Sequence, residues 1–210
     1  MTQRARPITS HAAPATGRTD SVTASAGQLR ARMAPLAAMN DDMIPLSPQG
    51  DHAQDLRRAF GQYGTGVTVV TAQTAQGPLG MTANSFSSVS LDPPLVLWSP
   101  ATASKRHDSF VAAAQFCIHV LSADQLALAQ HFAAQGHDFS GLDWSKGPHG
   151  VPTFAGCLAT FHCATYAVHA AGDHSLILGH VQQIALRAEP GAGLMFDQGR
   201  YGRFIPEEDL

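Results

Sequence analysis

The stretch Gly80–Pro94, GMTANSFSSVSLDPP, followed directly by Leu95-Val96-Leu97-Trp98, decides how this chain reads. A run of small polar residues lies between two strand-like segments and carries little large apolar surface. A strand that gives up packing side chains for Thr82, Ala83, Asn84, Ser85, Ser87 and Ser88 presents hydroxyls and main chain to a neighbour. Small residues let a flat ligand lie close to the backbone, where hydroxyl and N–H groups bind its carbonyls, ring nitrogens or phosphate. An edge strand facing water has the same composition, so the stretch alone leaves both readings open.

Working outward, the 210 residues suit one domain with a tail, and a hydrophobic content of 44% supports a sizeable core. A net charge of -3 gives no nucleic-acid footprint. No apolar run is long enough to span a bilayer, and the N-terminus lacks the apolar core of a secretory signal. Neither nucleic acid nor membrane is expected as a partner. Cys117, Cys157 and Cys163 form no CxxC pair; an odd number without a signal peptide points to reduced thiols and a cytoplasmic location. Eleven histidines raise the question of a metal, but no HxxxH, HExxH or paired CxxC occurs, and none is expected to bind one.

Residues 1–48 are rich in Ala, Ser, Thr, Pro and Arg, with Asp20 the only acid before Asp41. They read as a disordered leader ahead of a domain over residues 49–208. An organelle transit peptide, or a true start at Met33, Met39 or Met43, fits the same composition.

The globular pattern opens with a helix over 51–63, Asp51 capping it. Strands follow over 67–72 and, bent, over 79–90, with a turn at 76–78; Asp92-Pro93-Pro94 makes a corner before a buried strand over 95–99. Ser104 caps a helix to about Ala113, 116–121 alternates as a half-buried strand, and Ser122 caps a helix over 123–134. A loop over 136–150 holds Phe139, Leu142 and Trp144. Two long strands, 157–170 and 175–187, flank a hairpin turn at Gly172-Asp173-His174. About six strands and three helices predict a mainly β, antiparallel barrel with peripheral helices.

Gly61, Gly64 and Gly66 are spaced GxxGxG and precede a strand, whereas a dinucleotide loop follows a strand and opens a helix. No P-loop and no GxSxG is present, and no Ser, His or Asp stands in a nucleophile context. Ser99–His107, SPATASKRH, combines hydroxyls, the basic pair Lys105-Arg106 and a helix start, a set suited to a phosphate. An ordinary capped helix with a solvated basic pair fits it as well.

Three pieces together resemble a known family: GMTANSFSSVSLDPPLVLWSP; SKRHDSF; and Gly172-Asp173-His174 followed by Leu176-Ile177-Leu178-Gly179-His180-Val181. With the closing Gly199-Arg200-Tyr201, they are similar to the short-chain flavin reductases that supply reduced flavin to two-component monooxygenases. The resemblance covers Asp51–Phe204. It implies a Greek-key, split β-barrel that binds FMN or FAD, NADH or NADPH as hydride donor, a monooxygenase partner and a homodimer. Residue by residue, it implies that Thr82, Ala83, Asn84 and Ser85 line the flavin ring, and that Ser99, Ser104 and Lys105 hold the ribityl phosphate. His174 would position the nicotinamide and Tyr201 would close the site. Relatives often carry a polar pair such as Asn-Arg where this chain has Ala101-Thr102, a departure on the phosphate side.

Apart from the resemblance, Asp173 and His174 also read as turn residues, Tyr201 as a barrel plug and Trp98 as core. The implied reaction is hydride transfer from nicotinamide C4 to flavin N5, which needs stacked, dry rings more than an acid or base. Two other functions fit the sequence: a flavin- or haem-binding electron carrier or sensor on the same barrel, and a pyridoxamine-phosphate-oxidase-like enzyme.

Overall fold

The structure, a computed structural model, describes residues 53–207. The expected leader over 1–48, the domain boundary at 49 and the Asp51 cap lie outside the described residues.

Helix α1 spans Ala53–Gly61. Short strand β1 (Thr65–Gly66) leads into β2 (Thr68–Thr74) and β3 (Gly77–Ala83). Strands β4 (Ser87–Leu91) and β5 (Pro94–Trp98) flank the Asp92-Pro93 corner, whose peptide bond is cis. Helix α2 is His107–Val111, β6 is Gln115–Val120, and a 3-10 turn at Ala123–Gln125 runs into helix α3, Leu126–Ala134. Small strands β7 (Trp144–Lys146) and β8 (Pro152–Phe154) form a hairpin. Long strands β9 (Ala159–Ala171) and β10 (His174–Leu186) follow, then β11 (Leu194–Asp197) and β12 (Arg200–Arg203).

Seven strands pair in the order β3-β2-β6-β9-β10-β5-β4, all antiparallel, with β1-β11-β12 as a separate sheet. This order dictates a barrel. β3 and β4 are opposite edges of the sheet, about 29 Å apart if it were flat at ~4.8 Å per strand. Yet only residues 84–86 join them, and four Cα steps reach at most about 14 Å. The sheet must curl until its edges approach, and β3 and β4 stay unpaired, which is the split. The β9–β10 hairpin inserts between β5 and β6, which are consecutive in sequence; this is the Greek-key crossing.

The interior is filled by Val70, Leu79, Met81, Val96, Phe116, Ile118 and Ile177 around Trp98, whose ring meets Phe110 edge-on at 4.9 Å. Trp98 is therefore core. A second cluster, including Val67, Val69, Leu121, Ala129, Phe132, Phe139 and Phe154, lies on the other face of β2 beneath α3 and the β7–β8 hairpin. β2 is thus covered on both faces, which is why TVVTA reads as an unbroken buried run.

Several sequence expectations change. The single bent strand over 79–90 is two strands on opposite edges, because residues 84–86 bridge the split. The helix expected from Ser104 starts at His107: the Ser104 hydroxyl accepts the Arg106 N–H at 3.2 Å, closing a tight turn first. The loop over 136–150 contains β7, drawn into pairing with β8 as Trp144 packs on Phe139 at 5.4 Å. Twelve strands are present among the described residues where about six were expected, since the short pieces lack a strand-length period. Ser122 caps as expected, through a capping box with Gln125.

Candidate functional site

β3 is an edge strand, and its outward groups have specific partners. The Gly80 N–H donates to Gly136 O at 2.8 Å, and Gly80 O accepts from Arg106 Nη1 at 3.1 Å. Strand alternation points the main-chain N–H and C=O of Thr82 the same way, off the free edge of the sheet. The Thr82 side chain turns to α3, where its hydroxyl donates to Ala129 O at 2.6 Å. Ala83 packs with the interior cluster, in step with Leu79 and Met81, and its carbonyl accepts the Thr68 hydroxyl at 2.8 Å, so the outward main-chain groups here are those of Thr82.

At this edge Val67, Thr82, Ala83, Asn84, Ala133, Phe196 and Tyr201 line a pocket of about 220 Å³. Of the residues named for the ring, Thr82, Ala83, Asn84 and Tyr201 lie together in this pocket and Ser85 does not line it. Val67, Ala133 and Phe196 were missed; no motif marks them, and only the packing of α3 and β11 beside β3 brings them in. Tyr201 meets Phe196 edge-on at 5.1 Å and forms the far wall. Three larger clefts among the described residues, about 610, 480 and 340 Å³, contain none of the anticipated residues. Size without convergent chemistry does not make a site, and the smaller pocket is preferred.

The other anticipated residues form a second group linked to the first. The Ser85 hydroxyl accepts the Ser99 N–H at 2.9 Å and reaches Ser99 O at 3.3 Å, which ties the split to the end of β5. From Ser99 the chain runs through Pro100, Ala101 and Thr102, where the hairpin turn docks. Thr102 N–H donates to Asp173 O at 2.8 Å, Ser175 N–H to Pro100 O at 3.1 Å, and Ala101 bridges His174. His174 Nδ1 contacts Asp173 Oδ1 at 2.8 Å, and that hydrogen bond, with the imidazole's charge, holds the Asp173 carboxyl below the usual carboxylate range. His174, Ser104 and Lys105 do not line the 220 Å³ pocket. Lys105 is exposed, whereas Arg106 is committed to main-chain carbonyls and is not free for a phosphate.

The pocket fits a flavin ring. It offers a free strand edge, small residues and two aromatic walls, and it is smaller than the roughly 300–1,000 Å³ that encloses a whole drug-sized ligand. The cysteines are not redox partners here. All three are free and buried, and burial raises the Cys117 thiol and pushes Cys163 up to about 12. Among the described residues no group of three or more His, Cys, Asp or Glu could hold a metal ion.

Comparison with known proteins agrees with this geometry. The family described as Flavin reductase like domain matches residues 60–204. The FMN reductase (NADH) SmoA of Agrobacterium fabrum is 53% identical over 157 residues, covering 75% of this chain and 89% of that protein. The reductase subunit HsaB of a flavin-dependent monooxygenase from Mycobacterium tuberculosis is 34% identical over 157 residues, covering 72% and 82%. Among solved structures, the NADH:FAD oxidoreductase SgcE6 of Streptomyces globisporus C-1027, in complex with NAD and FAD fragments, superposes with a TM-score of 0.72 at 41% identity, covering 80% of this chain and 100% of that one. Split barrel, edge-strand pocket and a match across nearly all of the barrel lead to one conclusion: the chain belongs to the flavin reductase like domain family.

Proposed function

We propose that this chain is an NAD(P)H-dependent flavin reductase that transfers a hydride from a nicotinamide to FMN or FAD and supplies reduced flavin to a partner monooxygenase. The observation that carries this reading is the pocket at the free edge of β3, where Thr82 and Asn84 face Tyr201 and Phe196. It takes a ring and leaves the rest of the molecule outside, as suits a flavin that must arrive oxidised and depart reduced. When bound, the flavin supplies the hydride acceptor. The chain's residues do the rest: main chain and Asn84 orient the ring, Tyr201 and Phe196 keep one side dry, and Ser99, Ser104 and Lys105 hold the phosphate. His174, at the hairpin turn docked against the segment that follows Ser99, positions the nicotinamide. No side chain has to move a proton in the hydride step.

The partner reading is supported by HsaB, a monooxygenase reductase subunit, and the donor by the NADH named for SmoA. We place the protein in the cytoplasm on its three free cysteines, and no helix among the described residues is long and apolar enough to cross a membrane. A homodimer is supported by apolar side chains left exposed on β4, β9 and β10: Val89, Leu91, Tyr166, Ile184 and Leu186. Steady-state oxidation of NADH and NADPH, with FMN and FAD added in turn, tests the activity; oxidation that no added flavin stimulates would refute it.

A further inference from the structure

Arg106 enters the sequence only as half of a basic pair, but its placement is specific. Its Nη1 donates to Gly80 O at 3.1 Å and to Phe132 O at 2.6 Å, and its Nη2 to Ala133 O at 3.3 Å. Gly80 lies on β3. Phe132 and Ala133 lie in the last turn of α3, where unpaired carbonyls favour a cation. Among the described residues no carboxylate pairs with it. The stem is also confined, because a Cβ on Gly136 would collide with Arg106 Cδ.

Its backbone belongs to the Ser99–His107 segment, where the Ser104 hydroxyl accepts its N–H. Arg106 therefore pins that segment to the two elements, β3 and α3, that supply Thr82 and Ala133 to the ring pocket. A second strut, Thr82 Oγ1 to Ala129 O, joins β3 to α3 without involving the segment. Removing the arginine would thus release the segment from β3 and α3, its ties to Ser85 and to the hairpin turn remaining, while leaving the pocket braced.

We propose that Arg106 is a positioning residue that fixes the spacing between the ring pocket and the Ser99–Lys105 segment, and thereby makes the site prefer a flavin bearing a phosphate over riboflavin, which has none. The inference rests on the flavin reading above. A ligand held at two points gains from the second only when their separation is held, and looseness of about 1 Å is enough to lose much of it. A planar fork spanning three carbonyls from two elements holds that separation; a point-charge ammonium does so less well.

The test is equilibrium titration of FMN and riboflavin into wild type, Arg106→Met and Gly136→Ala, with thermal melts in parallel. Gly136→Ala displaces the arginine stem without removing its charge, so it carries the test if Arg106→Met does not fold. Wild type is expected to bind FMN at least about tenfold tighter than riboflavin. Either variant is expected to weaken FMN about tenfold and riboflavin less than about twofold, with Arg106→Lys recovering part of the FMN affinity. Equal losses for both ligands, no loss for either, or a wild type indifferent to the phosphate would overturn the proposal while leaving the flavin reading intact. A wild type that binds neither ligand overturns the flavin reading itself.

Discussion

Ala133→Leu is the most informative single change at the ring pocket. Ala133 lies one residue from the end of α3, is exposed, and lines the pocket opposite Thr82. Leucine adds three carbon atoms at a helical position it tolerates to within a few tenths of a kcal/mol, and the site has no core to overpack. Those carbons take space inside about 220 Å³ that the ligand would fill. Each CH2 equivalent of lost contact costs about 0.8 kcal/mol. Three amount to roughly 2.4 kcal/mol, or about fiftyfold in flavin Kd. Flavin titration followed by fluorescence quenching reads the affinity, and a melt confirms the fold. A folded variant with unchanged flavin affinity would refute the assignment of this pocket. Ala83→Leu is less useful, since Ala83 packs with the interior cluster and added bulk would strain the core.

Other outcomes follow from the same geometry. His174→Ala should raise KM for NAD(P)H and lower kcat/KM about tenfold, the cost of roughly one hydrogen bond, with flavin affinity nearly intact; steady-state kinetics beside flavin titration would show a collapse of flavin binding if the residue were a flavin ligand instead. Burial is the main influence holding His119 neutral, with a pKa of about 4, and His162 opposes its charge further, while the hydrogen bond to Val69 O acts the other way. The unfolded chain takes up that proton near pH 6.5 and the folded one does not, so stability is full above about 6.5 and falls toward pH 4 by at most ~1.4 kcal/mol per unit. Urea midpoints across that range should show the slope, and His119→Gln should flatten it; an identical slope in the variant would remove His119 as its source. Leu186→Glu, on an exposed apolar strand end, should convert the proposed dimer to monomer in sedimentation, and an unchanged mass would exclude this face.

Much of the barrel was legible because TVVT, FCIHVL and the two long strands around Gly172 are apolar or β-branched runs that stand out against their turns, although the half-buried alternation expected over 116–121 is not found: Phe116, Cys117, Ile118 and His119 are all buried. The split was not legible. Asn84-Ser85-Phe86 carries no glycine or proline, and nothing local reveals that Ser85 leaves β3 to clasp Ser99 across the gap. The site divides in the same way. Thr82, Ala83 and Asn84 stand out as small or polar residues where a strand should bury bulk. Ala133 and Phe196 are ordinary residues of a helix and a strand, and line the pocket only because tertiary packing sets them beside β3. Arg106 and Lys105 look interchangeable in the sequence; only the carbonyls of Gly80, Phe132 and Ala133 tell them apart.

The central claim, direct hydride transfer from a nicotinamide to a bound flavin, is tested most directly by anaerobic mixing of the protein with flavin and NADH carrying hydrogen or deuterium at C4. The account predicts that the flavin's visible absorbance bleaches far faster than without protein, over many turnovers, and that deuterium at the transferred position slows the bleaching in single turnovers. Flavin that binds but is reduced no faster than in buffer would contradict it.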